Sequence, residues 1–341
     1  MAKQQRDSSI ELLRIIAMLM IVLHHYSVHG GFSLEENNFM LNGYILSVVT
    51  LGEWAVNIFI LIYGYFSVTS QFNIKRIIRL YAQVWFYSAV LFAAYTLWNR
   101  ELHIGFALRA VTPIISDQYW FFSKYILLCM LMPFINTFIQ NMSREKHRML
   151  IALLTFVWCI LPSVLPRFFE YALGTGEMGA FILLYLIGAY MRLYPDSRIC
   201  TAKWGGFSAT GSLAVIMLYQ LVQSMYKIPF LYLECYLNSS ILSVCFAVGM
   251  LAVFTNMKLK PNKFINRIAA CTFGVYLIHD NDYVRPFLWH YLLKNSEYQS
   301  SPYMIVHMLI SVISVFVICT IIEFIRKQTV GRLLDKWIGS R

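Results

Sequence analysis

Charged side chains are scarce in this chain. Asp, Glu, Lys and Arg make up 13% of its 341 residues, against about 25% in water-soluble domains. That shortage, with 59% hydrophobic residues and a mean hydropathy of +0.59, excludes an ordinary soluble protein. Gly/Ser linkers and low-complexity tracts are missing too, and no loop is long enough for a soluble domain; the largest spans about residues 99–119. None of the seven cysteines, Cys129, Cys159, Cys200, Cys235, Cys245, Cys271 and Cys319, forms a CxxC or Cys/His metal pattern. They are predicted to be small buried hydrophobes, and no metal is expected. Acidic residues are outnumbered, 17 against 28 Lys and Arg, leaving a net charge of +11. In a soluble protein such an excess suggests nucleic acid; here positive loops on the inner side of a membrane account for it. Lys3 and Arg6 precede the first apolar run, but no small-residue cleavage site follows, so that run is read as an uncleaved helix.

Ten apolar segments are present, at about residues 9–29, 41–68, 78–98, 120–140, 149–165, 178–193, 205–226, 237–256, 265–292 and 303–326. Their lengths predict membrane crossings, the fifth and sixth being short. Orientation follows from the cations. With the N-terminus inside, only Arg100, Arg109, Lys124, Arg167, Lys227, Arg285 and Lys294 fall on the outer side; the rest of the 28 are cytoplasmic. Acidic residues lean outward, at Glu35, Glu36, Glu101, Asp117, Glu170 and Glu177. The expected fold is an all-α integral membrane protein, a polytopic bundle of about ten transmembrane helices with both termini cytoplasmic. One membrane domain is expected to fill residues 1–341, ending in a basic tail over 327–341.

Ionisable residues inside such segments cost about 2.5 kcal/mol or more unless they face protein or water. The first segment carries Glu11, Arg14, His24 and His25. Arg14 and His25 are about three helical turns apart, so they share a face roughly 16 Å apart. Glu11, three residues before Arg14, is placed to pair with it; snorkelling of both to the interface is the plainer reading. Glu53 and Asn57, four apart near the outer end of the second segment, share a face, with Trp54 beside them as an aromatic-belt residue. Lys75, Arg76 and Arg79 follow on the inner side, either an anchor or a grip for a polyanion, since Arg matches phosphate bidentately. Tyr119 and Trp120 open the fourth segment as belt residues, and Lys124 either snorkels outward or lines a cavity. The ninth segment holds His279, Asp280, Asp282, Arg285 and Pro286. It is either a helix broken where it meets outer water or a second wall of the cavity that His25 faces.

Taken in order, the stretches IELLRIIAMLMIVLHH (R-x10-H), NIFILIYGYF, R-I-I-R at Arg76 to Arg79, QYWFFSKYI and FGVYLIH resemble those of the acyltransferase-3 family. These are membrane acyltransferases that modify bacterial surface glycans and some lipids. One departure is Tyr63, where that family often has Ser before the glycine; another is the lack of a fused extracytoplasmic SGNH-type domain. The resemblance implies a multi-pass protein of the bacterial plasma membrane. It would move an acyl group, acetyl by default, from cytoplasmic acyl-CoA to a hydroxyl of an extracytoplasmic or lipid-linked glycan. Lys75, Arg76 and Arg79 would hold the donor's phosphates, with Arg14 deeper along its arm and Glu11 beside it. His25 is the candidate general base or acyl carrier. Glu53, Asn57, Lys124, His279 and Asp280 are candidate cavity-lining residues. Membrane lipid, a second copy of the chain and an envelope-synthesis enzyme are the other partner classes left open. Two rival functions remain: a secondary transporter relaying protons through His25, Glu53 and His279, and an idle partner of a glycan enzyme.

Overall fold

The structure, a computed structural model, describes residues 6–33, 40–165, 171, 173–174, 176–226 and 239–339. Lys3, Glu35, Glu36, Arg167, Glu170, Lys227, Cys235 and Arg341, all singled out above, lie outside that set. Among the described residues every regular element is a helix. In chain order they are α1 (Ser8–Val28), α2 (Met40–Val49), α3 (Ala55–Ser67), α4 (Ile74–Asn99), α5 (Ile104–Val111) and α6 (Trp120–Gln140). Next come α7 (Arg144–Thr155), α8 (Leu161–Val164), α9 (Glu177–Leu193), α10 (Ala202–Tyr226) and α11 (Ile241–Asn256). The chain ends with α12 (Lys263–Ala269), α13 (Thr272–His279), α14 (Val284–Pro286), α15 (Met304–Gln328) and α16 (Val330–Trp337).

Among the described residues, seven helical stretches are long and apolar enough to cross a membrane: Ser8–Val28, Leu41–Ser67, Ile74–Asn99, Trp120–Gln140, Arg144–Val164, Ala202–Met225 and Met304–Gln328. The chain is an all-α, polytopic integral membrane protein. Length alone does not carry the expected ten. The sixth segment folds as 17 residues of α9 and the eighth as 16 residues of α11. At about 1.5 Å per residue both fall short of a hydrocarbon core of about 30 Å. The ninth, expected over 265–292, is broken into α12, α13 and α14, for reasons that belong to the site. Side-chain caps start several helices: Asn73 accepts from the Lys75 amide at 3.0 Å ahead of α4, and Ser143 and Ser240 do the same for α7 and α11. Six free cysteines are described; Cys129, Cys159, Cys271 and Cys319 are buried as expected, and Cys200 and Cys245 are half-buried. Burial pushes the Cys200 thiol, in the loop before α10, up to about 11, so it is not a nucleophile near neutral pH.

The described contacts divide the chain into two units. The first comprises residues up to Ile21, Tyr44–Phe72 and Leu128–Asn266. One close seam in it joins α3 and α9, where each helix offers a glycine to the other's backbone. A Cβ on Gly64 would stand 2.4 Å from the Tyr185 carbonyl oxygen, and one on Gly188 would stand 2.3 Å from that of Leu61. No side chain fits either place, which is the physical reason for glycine in the GYF stretch. In membranes, where apolar surface drives no association, such close packing is what joins helices. Tyr63 packs edge-on against Tyr185 with ring centres 5.6 Å apart. Tyr185 donates to Asn136 Oδ1 at 2.7 Å, and Asn136 donates to the Ser67 carbonyl at 2.9 Å, closing the seam with buried hydrogen bonds.

The second unit comprises Val22–Gly43, Asn73–Leu127 and residues from Arg267 on. Here α13 packs on α15 and α4 around Glu323, which is fully buried. Both carboxylate oxygens are engaged: Arg326 binds them bidentately at 2.7 and 2.8 Å, Gln83 donates at 3.1 Å and Tyr87 at 2.7 Å. Gly274 makes room, since a Cβ there would meet Glu323 Cγ at 2.4 Å. Removing one partner of a buried pair strands the other, at a cost of about 3–5 kcal/mol. Glu323→Ala is therefore expected to lower the melting temperature of the detergent-purified protein steeply. An unchanged melting curve would show that the pair does not brace α4, α13 and α15.

Candidate functional site

The second unit gathers histidines. His25 and His29, four residues apart, lie on one face of the end of α1 and the turn after it. His279 is the last residue of α13, and what ends that helix also shapes the site. Asp280 leaves helical geometry at φ −97°, ψ 10°. Asn281 Oδ1 then accepts from the Tyr283 amide at 3.0 Å, and the Asn281 carbonyl accepts from Val284 and Arg285 at 2.9 Å each. From the other side Asn281 Nδ2 donates to the Tyr119 hydroxyl at 2.7 Å, which itself donates to the Leu277 carbonyl at 3.0 Å. Tyr119 is fully buried. It is a clamp on the helix break, not the belt residue expected. Nonhelical backbone at membrane depth is tolerated where protein satisfies it in this way.

The break brings His279 and Asp280 against His25. His25 Nδ1 and His279 Nε2 are 2.8 Å apart, and both rings are buried. His279 Nδ1 lies 2.6 Å from the Val275 carbonyl. A carbonyl only accepts, so His279 carries its proton on Nδ1 and, when neutral, presents a lone pair at Nε2. His25 must then donate from Nδ1, which leaves its Nε2 bare. Two hydrogen bonds thus select the tautomer of a ring whose second nitrogen is free to take a proton. That nitrogen faces Asp280, 3.6 Å from Oδ1. Asp280 is 1% exposed. Its Oδ1 also lies 3.5 Å from His29 Nε2 and 2.8 Å from Arg285 Nε, whose proton is directed at the Asp280 carbonyl at 2.9 Å. Arg285 reaches Asp282 as well, at 3.3 Å, and Arg109 approaches Asp282 at 3.9 Å. The carboxylate is therefore buried beside a cation, with two imidazoles within reach. One donor atom each from His25, His29 and Asp280 lie within 4.8 Å of one another, a set of metal-ligating type. Arg285 already supplies the countercharge to Asp280, which opposes a second cation there.

The structure sorts the candidates. His25, His279 and Asp280 come together. Glu11 and Arg14 pair at 3.5 Å, as their spacing predicts, but within the first unit. Glu53 and Asn57 also belong to the first unit, and Asn57 donates to Ser243 at 3.2 Å. Lys124 reaches Asp117 at 2.9 Å. Lys75 and Arg76 are exposed at the start of α4, and Arg79, one turn on, lies 2.9 Å from Asp335. His29, Arg285 and Tyr119 were not singled out as site residues. The H-x3-H spacing of His25 and His29 is the one signal in the sequence that marks the first of them.

A family model described as an acyltransferase domain matches residues 7–324. The chain belongs to the acyltransferase-3 family. No curated protein and no solved structure matches it. This acyltransferase-3 protein is thus a membrane acyltransferase. Its histidine cluster and its basic stretch at the start of α4 both fall inside the matched residues, whereas α16 lies beyond them.

Proposed function

We propose that the protein transfers an acyl group, acetyl by default, from cytoplasmic acyl-CoA to a hydroxyl of an extracytoplasmic or lipid-linked glycan at a bacterial plasma membrane. One observation carries the chemistry: the hydrogen bonds from His279 to Val275 and from His25 to His279, which leave His25 Nε2 unprotonated. As the acceptor hydroxyl attacks the thioester carbonyl, its proton passes to Nε2 and a carbon–oxygen bond forms. The tetrahedral centre then collapses, the carbon–sulfur bond breaks and Nε2 returns the proton to the thiolate, releasing CoA as the thiol. Asp280, 3.6 Å away, stabilises the imidazolium that exists between the two transfers. Arg285, 2.8 Å from Oδ1, holds that carboxylate in place. Positioned bases of this kind contribute about 10²–10⁴-fold.

Lys75, Arg76 and Arg79 are assigned to the donor's phosphates. Charge-assisted hydrogen bonds contribute about 1.5–3 kcal/mol each, so Arg76→Ala with Arg79→Ala is expected to raise the KM for acyl-CoA at least tenfold, with kcat little changed. A change confined to membrane insertion would make the pair an anchor. The reaction itself is tested with radiolabelled acetyl-CoA outside proteoliposomes and a glycan acceptor within. Label on the acceptor is the expected result, and solute flux without acylation the contrary one.

A further inference from the structure

Two of the cations assigned to the donor, Arg79 and Lys75, already lie against α16 or the residues just after it. Arg79 Nε lies 2.9 Å from Asp335 Oδ1 on α16, and Arg79 Nη2 donates to the Gly339 carbonyl at 3.3 Å. Lys75 is there too: a Cβ on Gly339 would stand 3.4 Å from Lys75 Nζ. Gly339 has φ +85°, a conformation that glycine adopts freely. From Ile325 onward Asp335 is the sole acid, set among Arg326, Lys327, Arg332, Lys336 and Arg341. A segment that basic would be repelled by Lys75 and Arg79 but for this one carboxylate. The Arg79 Nε proton is not aligned on an acceptor, so the contact with Asp335 is a charge pair between half-exposed groups. Such pairs are weak and readily exchanged. Thr329 alone separates α15 from α16, at φ −102°, ψ −92°, outside helical geometry.

We propose that α16 is a strap over the donor site: Asp335 and the Gly339 carbonyl hold Arg79 until the phosphates of acyl-CoA displace them. The strap rests on the assignment of Lys75, Arg76 and Arg79 to those phosphates. It follows residue 324, the last residue of the family match. It sets a threshold of donor concentration and leaves the chemistry at His25 untouched.

The test uses the full-length protein in detergent with CoA as the probe, followed by calorimetry. Asp335→Asn is expected to tighten CoA binding about two- to fivefold, the scale of an exposed ion pair, without changing kcat. In an Arg79→Gln background the same substitution is expected to bring no gain; a gain that persists would mean general electrostatic attraction and would overturn the strap. Independently, saturating CoA is expected to speed amide hydrogen exchange over residues 330–339 in the wild type. Slower or unchanged exchange there, or unaltered affinity in Asp335→Asn, would overturn the strap alone, provided Arg79→Gln still weakens CoA binding. If Arg79→Gln binds CoA as tightly as the wild type, or CoA does not bind at all, the donor assignment fails and the strap falls with it.

Discussion

His25→Ala is expected to yield a folded, membrane-inserted protein whose acyl transfer falls by about 10²–10⁴-fold, to background. The size follows from what the ring does. His25 is the one imidazole whose tautomer is dictated from behind, through His279 and Val275, and whose other nitrogen is left bare beside a buried carboxylate. Alanine removes the base and also strands His279 Nε2, which is buried. His25→Gln keeps a polar group of similar reach for that nitrogen, so it controls for the stranding. Both variants are expected to be equally inactive and to bind CoA normally. Transfer within a fewfold of wild type in either one would remove His25 from the mechanism and leave His29 as the nearest alternative base.

The second large effect is expected at Asp280. Asp280→Asn conserves volume but removes the charge that faces His25, His29 and Arg285. An amide turned either way is unsuitable. Its NH₂ would donate to the bare Nε2 and occupy the base, while its oxygen would face an imidazolium without a full negative charge. Arg285, held between Asp280 and Asp282, would lean to Asp282 alone. A kcat lower by about 10²-fold or more is expected, with the KM for acyl-CoA nearly unchanged. A KM effect with intact kcat would place Asp280 among the binding groups. If the protein also melts much lower, Asp280→Glu, which restores the charge on a longer arm, separates the two roles by recovering stability before activity.

Segment positions were mostly legible in the sequence. The first and fourth segments, expected at 9–29 and 120–140, fold as Ser8–Val28 and Trp120–Gln140. Hydropathy reports length along one chain, and for a continuous crossing that suffices. In the ninth segment the polar run allowed a broken helix as one of two readings but did not place the break, because a break is decided by partners elsewhere: Asn281 is held by Tyr119, 162 residues away in sequence. The same blindness made Tyr119 a belt residue, since an aromatic near a segment end looks alike whether it meets headgroups or a buried amide. His25 stood out as an ionisable group at membrane depth, and His279 for the same reason. Their direct contact spans 254 residues and no periodicity reveals it. Arg285 looked like an outer-loop cation, and only the fold shows it spent on a carboxylate that is 2% exposed at the side chain.

The paired glycines of α3 and α9 also set an order of assembly. Gly64 and Gly188 must interlock with no methyl group between the backbones, yet at about 5–20 residues per second roughly 6–25 s of synthesis separate them. Throughout that wait α3 sits in the bilayer with its Gly64 face turned to lipid or to the translocation machinery. Any chaperone or lipid that shields this face during biogenesis must be one that α9 can evict.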